Sequence, residues 1–358
     1  MSGPEPVLDL EAARRELEPW SRAMFLLQEV EAVGNAAEGL GITDAFHVAL
    51  DGQPFWSPER LDELNLMAQW GPALPSWSWG RWVCNQAARV LHDGLRDSMR
   101  RAGLRAGWHA REDQAWAWRQ LLLYDEGVLR FFVRRIAGSA LLARAGEVES
   151  WLDAPMGGYE LVASTPRSLW WVDLATEKEL VTPNIGSAVL LLPGDRVIGR
   201  VVAADGGRVF EGRPLGVPPA VARAVAQTPE AWSALLRTAR PGSSLGLVRD
   251  PRPIESLVTD VMPSVWPLGV PMLEQPVSAR TVLDALADLL VEPVEPGPEQ
   301  ADPWACLSAA LLTPYVWGEL PEVVEARDVV VLTEAATVLA EPAAALCRRA
   351  VEELSEAA

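Results

Sequence analysis

The stretch Gly157 to Val217 decides how this chain is read. Tyr159-Glu-Leu-Val-Ala163 reads as one strand of alternating faces, and the aromatic and β-branched run Leu169-Trp-Trp-Val-Asp-Leu174 as a second. Glu179-Leu-Val181 can return antiparallel to the second run, across a turn at Ala175 to Glu179. The apolar run Ala188-Val-Leu-Leu-Leu192 ends in Pro193-Gly194-Asp195, a turn signal, and Arg196-Val-Ile-Gly-Arg-Val-Val202 follows. Asp205-Gly206-Gly207 then leads into Arg208-Val-Phe-Glu211. Short β-branched and aromatic runs punctuated by Gly, Pro and Asp describe antiparallel strands, and Asp-Gly between two of them is a strong hairpin signal.

Working outward, the expected class is α+β. A small antiparallel β-barrel or curled sheet at 157–217 is flanked by a mainly helical, Trp-rich region, 1–150, and an acidic, mainly helical region, 218–358. On the C-terminal side, apolar spacing predicts helices at about 219–226, 229–239, 253–261, 278–291, 303–312 and 334–355. Glu292 to Pro303 is acidic and proline-rich and reads as a stiff connector. On the N-terminal side, helical spacing runs through 8–38, and Pro58 opens a helix to about Trp70. Gly71 to Trp82 holds three tryptophans and two prolines and reads as a loop, leading into a helix over about Val83 to Arg101. Asp113 to Tyr124 and Val128 to Arg144 are two further apolar segments.

Composition narrows the function classes. No apolar run reaches the roughly 18–20 residues of a membrane-spanning helix. Met1-Ser-Gly-Pro-Glu-Pro lacks the basic and apolar regions of a secretory signal, so a cytoplasmic protein is expected. Cys84, Cys306 and Cys347 are odd in number and widely spaced, which suggests neither disulfides nor zinc. The net charge of −18 is concentrated in residues 271–358, with 16 acidic against 4 basic side chains. An acidic whole disfavours nucleic acid and anionic membrane, although residues 81–135 carry 11 arginines against 6 carboxylates.

No catalytic or metal-binding set emerges. Gly242-Ser-Ser-Leu-Gly246 fits a nucleophile elbow in letters only, because no strand precedes it and His47, His92 and His109 all lie upstream. Cys84 and His92 are eight residues apart on one expected helix, about 12 Å along its axis, too far for a nucleophile–base pair. Asp125-Glu126, beside Tyr124, could serve as an acid–base pair but reads first as a solvated turn. Phosphate-cradling glycine motifs are missing from the sequence, and the sole lysine, Lys178, lies in a turn. No cofactor is expected.

The candidate interface is Trp77, Trp79 and Trp82 with Arg89, Arg96, Arg100 and Arg101. Trp and Arg are the side chains that most often anchor protein interfaces. The same pairing can stack and neutralise a single nucleic-acid strand. The plainest alternative is that the tryptophans fold back onto their own helix.

Leu121-Leu-Leu-Tyr-Asp125, Gly158-Tyr-Glu-Leu-Val162, Val172-Asp-Leu-Ala-Thr176 and Pro193-Gly-Asp-Arg-Val-Ile-Gly-Arg-Val-Val202 add a resemblance. This central part is similar to a region of uncharacterised bacterial proteins, some of which carry a terminal SEC-C zinc motif. Their strands likewise run through a DL-x-T hairpin and a GD-x-x-x-x-R turn. The Cys-rich tail has no counterpart, since Cys347-Arg-Arg-Ala lacks partner cysteines, so the resemblance implies neither zinc nor an activity.

The expected role is a non-enzymatic cytoplasmic adaptor or scaffold subunit that binds another protein, with the acidic helices suited to a basic surface. The alternatives are a single-strand nucleic-acid binder using the 81–135 arginines and the barrel face, and an enzyme whose carboxylate site assembles in the fold, gathering Asp125, Glu126 and a histidine in a deep pocket. Oligomeric state is left open.

Overall fold

The structure is a computed structural model and describes residues 75–88, 116–117, 119–125, 127–135, 137, 139–186, 191–238, 278–293, 302–312 and 314–357. In chain order its first elements are α1 (Ser76–Ala88), a π-helical turn (Leu121–Asp125), α2 (Val128–Arg135), α3 (Ser139–Arg144) and α4 (Val148–Trp151). The strands follow: β1 (Gly157–Ser164), β2 (Ser168–Asp173), β3 (Glu179–Pro183), β4 (Arg196–Gly199), β5 (Val201–Ala204), β6 (Gly207–Phe210) and β7 (Leu215–Gly216). Then come α5 (Pro219–Gln227), a 3-10 turn (Pro229–Ala231), α6 (Trp232–Thr238), α7 (Ala279–Val291), α8 (Pro303–Leu311), α9 (Pro314–Val323), α10 (Asp328–Val338) and α11 (Ala343–Ala357). No helix among the described residues is long and apolar enough to cross a membrane.

The α+β class holds. Five strands form an antiparallel sheet in the order β3-β2-β1-β4-β7, and β5 and β6 form a separate two-stranded ribbon. No closed barrel forms among the described strands. The expected single strand Arg196–Val202 is divided at Arg200, where the chain leaves the large sheet and enters the ribbon. The ribbon then leans towards β3, but no ladder hydrogen bonds join β6 to β3.

The turn chemistry accounts for these pairings. Asp205 and Gly206 both adopt positive φ, +49° and +77°, between paired Ala204 and Gly207. That is the two-residue turn whose twist matches a hairpin. At Pro193-Gly194, Gly194 takes φ +95° while Asp195 N donates to Leu192 O at 2.9 Å, the geometry of a type II turn. Leu191 and Leu192 of the expected strand 188–192 lead into this turn without pairing; 187–190 lie outside the described residues.

One buried cluster runs from Trp77, Trp79 and Trp82 through Phe132 and Trp151 to Leu283, Leu307 and Leu332. Helix α8 lies at its boundary with the sheet, and all nine of its residues are buried. Ala305, Cys306 and Ala309 pack on Leu161, Trp171 and Phe210 of the sheet side, while Leu307 and Leu311 face the helices. Asp302 fixes this helix. One carboxylate oxygen accepts from Trp304 N at 2.9 Å as an N-cap, and the other accepts from Asn184 Nδ2 at 3.0 Å and from Ser164 Oγ. A third cluster seats α5 and Trp232 on Ile198 and Leu215.

Three expectations about helices need revision. Residues 71–82 were expected to be a loop, yet α1 begins at Ser76, because Trp79, Trp82 and Val83 recur at helical spacing on a buried face. The helix expected over 334–355 is two helices, α10 and α11, separated at Leu339 to Pro342. Leu339 is extended there, and a proline at 342 cannot continue the α10 hydrogen-bond ladder. Helix α9 has no counterpart among the expected helices, and the helices read at 8–38, 58–70 and 253–261 lie outside the described residues.

Candidate functional site

The described structure gathers its charged interior where α1, the π-helical turn and the bend at Arg200 meet. Arg200 is 7% exposed although it sits in an apolar strand sequence. Its Nε donates to Gln120 Oε1 at 3.0 Å, Nη1 to the Ala154 carbonyl, and Nη2 approaches Asp125 Oδ1 at 3.4 Å. The guanidinium also lies over the Tyr124 ring, 4.0 Å from its centroid. A side chain with this many partners cannot stay in a flat ladder, so the strand breaks where Arg200 turns inward.

Eleven residues later, Glu211 is 1% exposed. Arg119 Nη2 forms an ion pair with its Oε1 at 2.6 Å, and Gln120 Nε2 donates to its Oε2 at 3.0 Å. Gln120 therefore bridges Glu211 and Arg200. Arg119 Nη2 also reaches Asn85 Oδ1 on α1 at 3.4 Å. One turn earlier, Arg81 donates from Nε and Nη2 to the Phe210 carbonyl at 3.2 and 2.6 Å, with its guanidinium 4.8 Å from the Trp77 ring. Gly212 leaves space for this arrangement, because a Cβ there would lie 3.2 Å from Arg119 Nη1.

The electrostatics follow from burial and these contacts. Burial alone would raise the Glu211 carboxyl, but the Arg119 guanidinium and the bonds from Arg119 and Gln120 hold it below the usual range. Burial pulls Arg81 down to about 10, with Glu211 opposing. Burial pushes the Cys84 thiol and the Tyr124 hydroxyl well up, and the negative Glu211 adds to both. The Tyr124 hydroxyl is buried without a hydrogen-bond partner among the described residues. The Cys84 thiol and the Tyr124 hydroxyl are thus held protonated at neutral pH, while burial raises the Asp125 carboxyl, with the Arg200 guanidinium opposing. The cluster instead links residues 81–85, 119–125, 154, 200 and 210–211, which are remote in sequence. Desolvation offsets much of the Coulomb gain in a buried ion network of this kind, so its net stabilisation is small while the loss of one partner is costly.

The residues singled out from the sequence fall as follows. Trp77, Trp79 and Trp82 are 5%, 2% and 3% exposed, core residues of α1, so they offer no open surface to a partner. Their bulk fills the junction of α1 with α2 and α4: Gly80 lets Trp151 approach so closely that a Cβ there would sit 2.4 Å from Trp151 Cη2. Arg89, Arg96, Arg100 and Arg101 lie outside the described residues, as do Glu126, the three histidines and Gly242–Gly246. Asp125 is described and faces Arg200. Among the described residues, no group of three or more His, Cys, Asp or Glu side chains could hold a metal ion.

The only large aromatic left open among the described residues is Trp170, on the outer face of the sheet. Trp170 is 39% exposed and pairs across the ladder with Val181, also 39% exposed, and with Ala163. Val162, 41% exposed, is the extra residue of a β-bulge between Leu161 and Ala163. Three neighbouring strands thereby present one apolar stripe. The signal in sequence was the pair Trp170-Trp171: on alternating strand faces one tryptophan must point away from the core. Compared with protein families, with curated proteins and with solved structures, the chain finds no match.

Proposed function

We propose that this protein is a non-enzymatic cytoplasmic adaptor or scaffold subunit that works by binding another protein. The observation that carries the reading is the open stripe Val162, Trp170 and Val181 on the outer face of β1–β3. A tryptophan exposed on a sheet face, flanked by aliphatic neighbours, has the composition of an interface anchor. The charged cluster around Arg200 supports the same reading, since its ionisable groups brace the frame behind the sheet. The lean of the β5–β6 ribbon towards β3 fits an incomplete small barrel, in which the outer sheet face is displayed on a rigid body.

The test compares the tagged full chain with its Trp170→Glu variant, each expressed at equal level in the native host. A polypeptide recovered in stoichiometric amount with the wild type and lost from the variant, whose circular dichroism and melting temperature stay unchanged, is the expected result. No polypeptide recovered with the wild type, or catalytic turnover by the purified protein, would overturn the adaptor reading, and equal recovery with both chains would overturn the assignment of the stripe as its binding surface.

A further inference from the structure

Resting on that adaptor reading, we propose that the stripe on β1–β3 receives a basic segment of the partner centred on an apolar side chain, and that Glu179 sets this charge preference. The ladder places side chains in rows across the outer face. One row runs Arg196, Glu160, Val172, Glu179 over β4, β1, β2 and β3. The next holds Ala163, Trp170 and Val181, with Val162 at the bulge. Within the first row, Arg196 Nη2 takes Glu160 Oε2 at 2.7 Å, so that carboxylate is compensated. Glu179 is exposed and forms no ion pair among the described residues. It lies two residues before Val181, on the same strand face, and diagonal to Trp170.

In the turn beside it, Glu177 and Lys178 offset each other, which leaves the Glu179 charge standing at one border of the apolar stripe. At the opposite border, the exposed Arg167 occupies the β1–β2 turn. The apolar stripe therefore has opposite charges at its two ends, with a carboxylate beyond Val181 and a guanidinium beyond Trp170. A partner segment placing Lys or Arg against Glu179 and an apolar anchor against Trp170 complements it, and the reversed or acidic segment meets like charge. The chain's net charge of −18 steers the same class of partner towards it.

The test places a photo-crosslinking amino acid singly at Val162, Val181 or Val330 of the full chain in its native host. Val330 is 70% exposed on α10, away from the stripe, and serves as the control. The expected result is one discrete protein adduct from Val162 and Val181 and none from Val330. The crosslinked peptide should carry Lys or Arg within a few residues of an apolar side chain. Glu179→Lys should lower the adduct yield about fivefold, with Glu179→Gln in between. Adducts to an acidic peptide, or from Val330 alone, would overturn this inference and leave the adaptor reading standing, whereas adducts to a second copy of this chain would overturn both. No protein adduct from any of the three positions would overturn both.

Discussion

Replacing Glu211 with Gln tests the charged interior most sharply. The substitution keeps shape and one acceptor but removes the charge that faces Arg119 at 2.6 Å and offsets Arg81. Breaking a buried ion pair from one side costs about 3–5 kcal/mol, because the remaining charge is left uncompensated. Two features reduce that figure here. The amide oxygen can still accept a hydrogen bond, and the Arg119 side chain, 23% exposed, can be partly rehydrated. The expected loss is therefore about 2–3 kcal/mol at pH 7, read from urea unfolding followed by near-UV circular dichroism. The pH dependence has a definite sign. The folded carboxyl is held below its unfolded value, so its contribution is complete above about pH 4.3 and fades as pH falls through the folded value. The gap between wild type and Glu211→Gln should accordingly be full at pH 7 and shrink on acidification below about pH 4.3. A variant within about 0.5 kcal/mol of wild type at pH 7, or a gap that does not shrink in acid, would refute the reasoning.

Three other expectations follow from local geometry. Gly158→Ala should destabilise the fold by about 3 kcal/mol in the same unfolding assay, because its Cβ would sit 2.0 Å from the Ala222 carbonyl oxygen on α5; a neutral effect would mean that α5 does not rest on β1. Asp205 accepts from Ser76 N at 3.1 Å and Ser76 Oγ at 2.5 Å, capping α1 from the ribbon. Asp205→Gly, which suits the positive φ, should lower stability by about 1 kcal/mol through the lost cap alone, and Asp205→Ala by more through added strain; equal thermal melts for the two variants would contradict this division. All three cysteines are buried, with the Cys84 thiol pushed well up and Cys347 raised to about 12, both chiefly by burial. A thiol reagent at pH 8 should leave the native protein unlabelled and modify all three after denaturation, and rapid native labelling would contradict the packing.

Much of the sheet was legible because its signals are local. The alternating runs gave β1 and β2, and Pro193-Gly194 and Asp205-Gly206 marked two turns whose glycines do adopt positive φ. Helices α5, α7 and α8 were legible from apolar spacing, with Asp302 and Pro303 opening α8. The division at Arg200 was not legible, because the sequence reads on as one strand and the partners that bend it come from residues 120, 125 and 154. Trp77, Trp79 and Trp82 misled for a related reason: tryptophan anchors cores and interfaces alike, and only the approach of Trp151 at Gly80 decides between them. Pro342 was a readable break in the 334–355 pattern that apolar periodicity obscured. Glu211 carried a faint signal, an acid next to a glycine at the end of an apolar strand, but its counterion Arg119 is 92 positions away.

The adaptor claim is tested most directly by native mass spectrometry of the protein purified gently from its own organism. The expected spectrum shows the chain with the mass of a second, different polypeptide in fixed ratio, and that extra mass disappears for Trp170→Glu. A bare chain, a complex of identical chains, or a chain carrying a small molecule or an oligonucleotide would contradict the account.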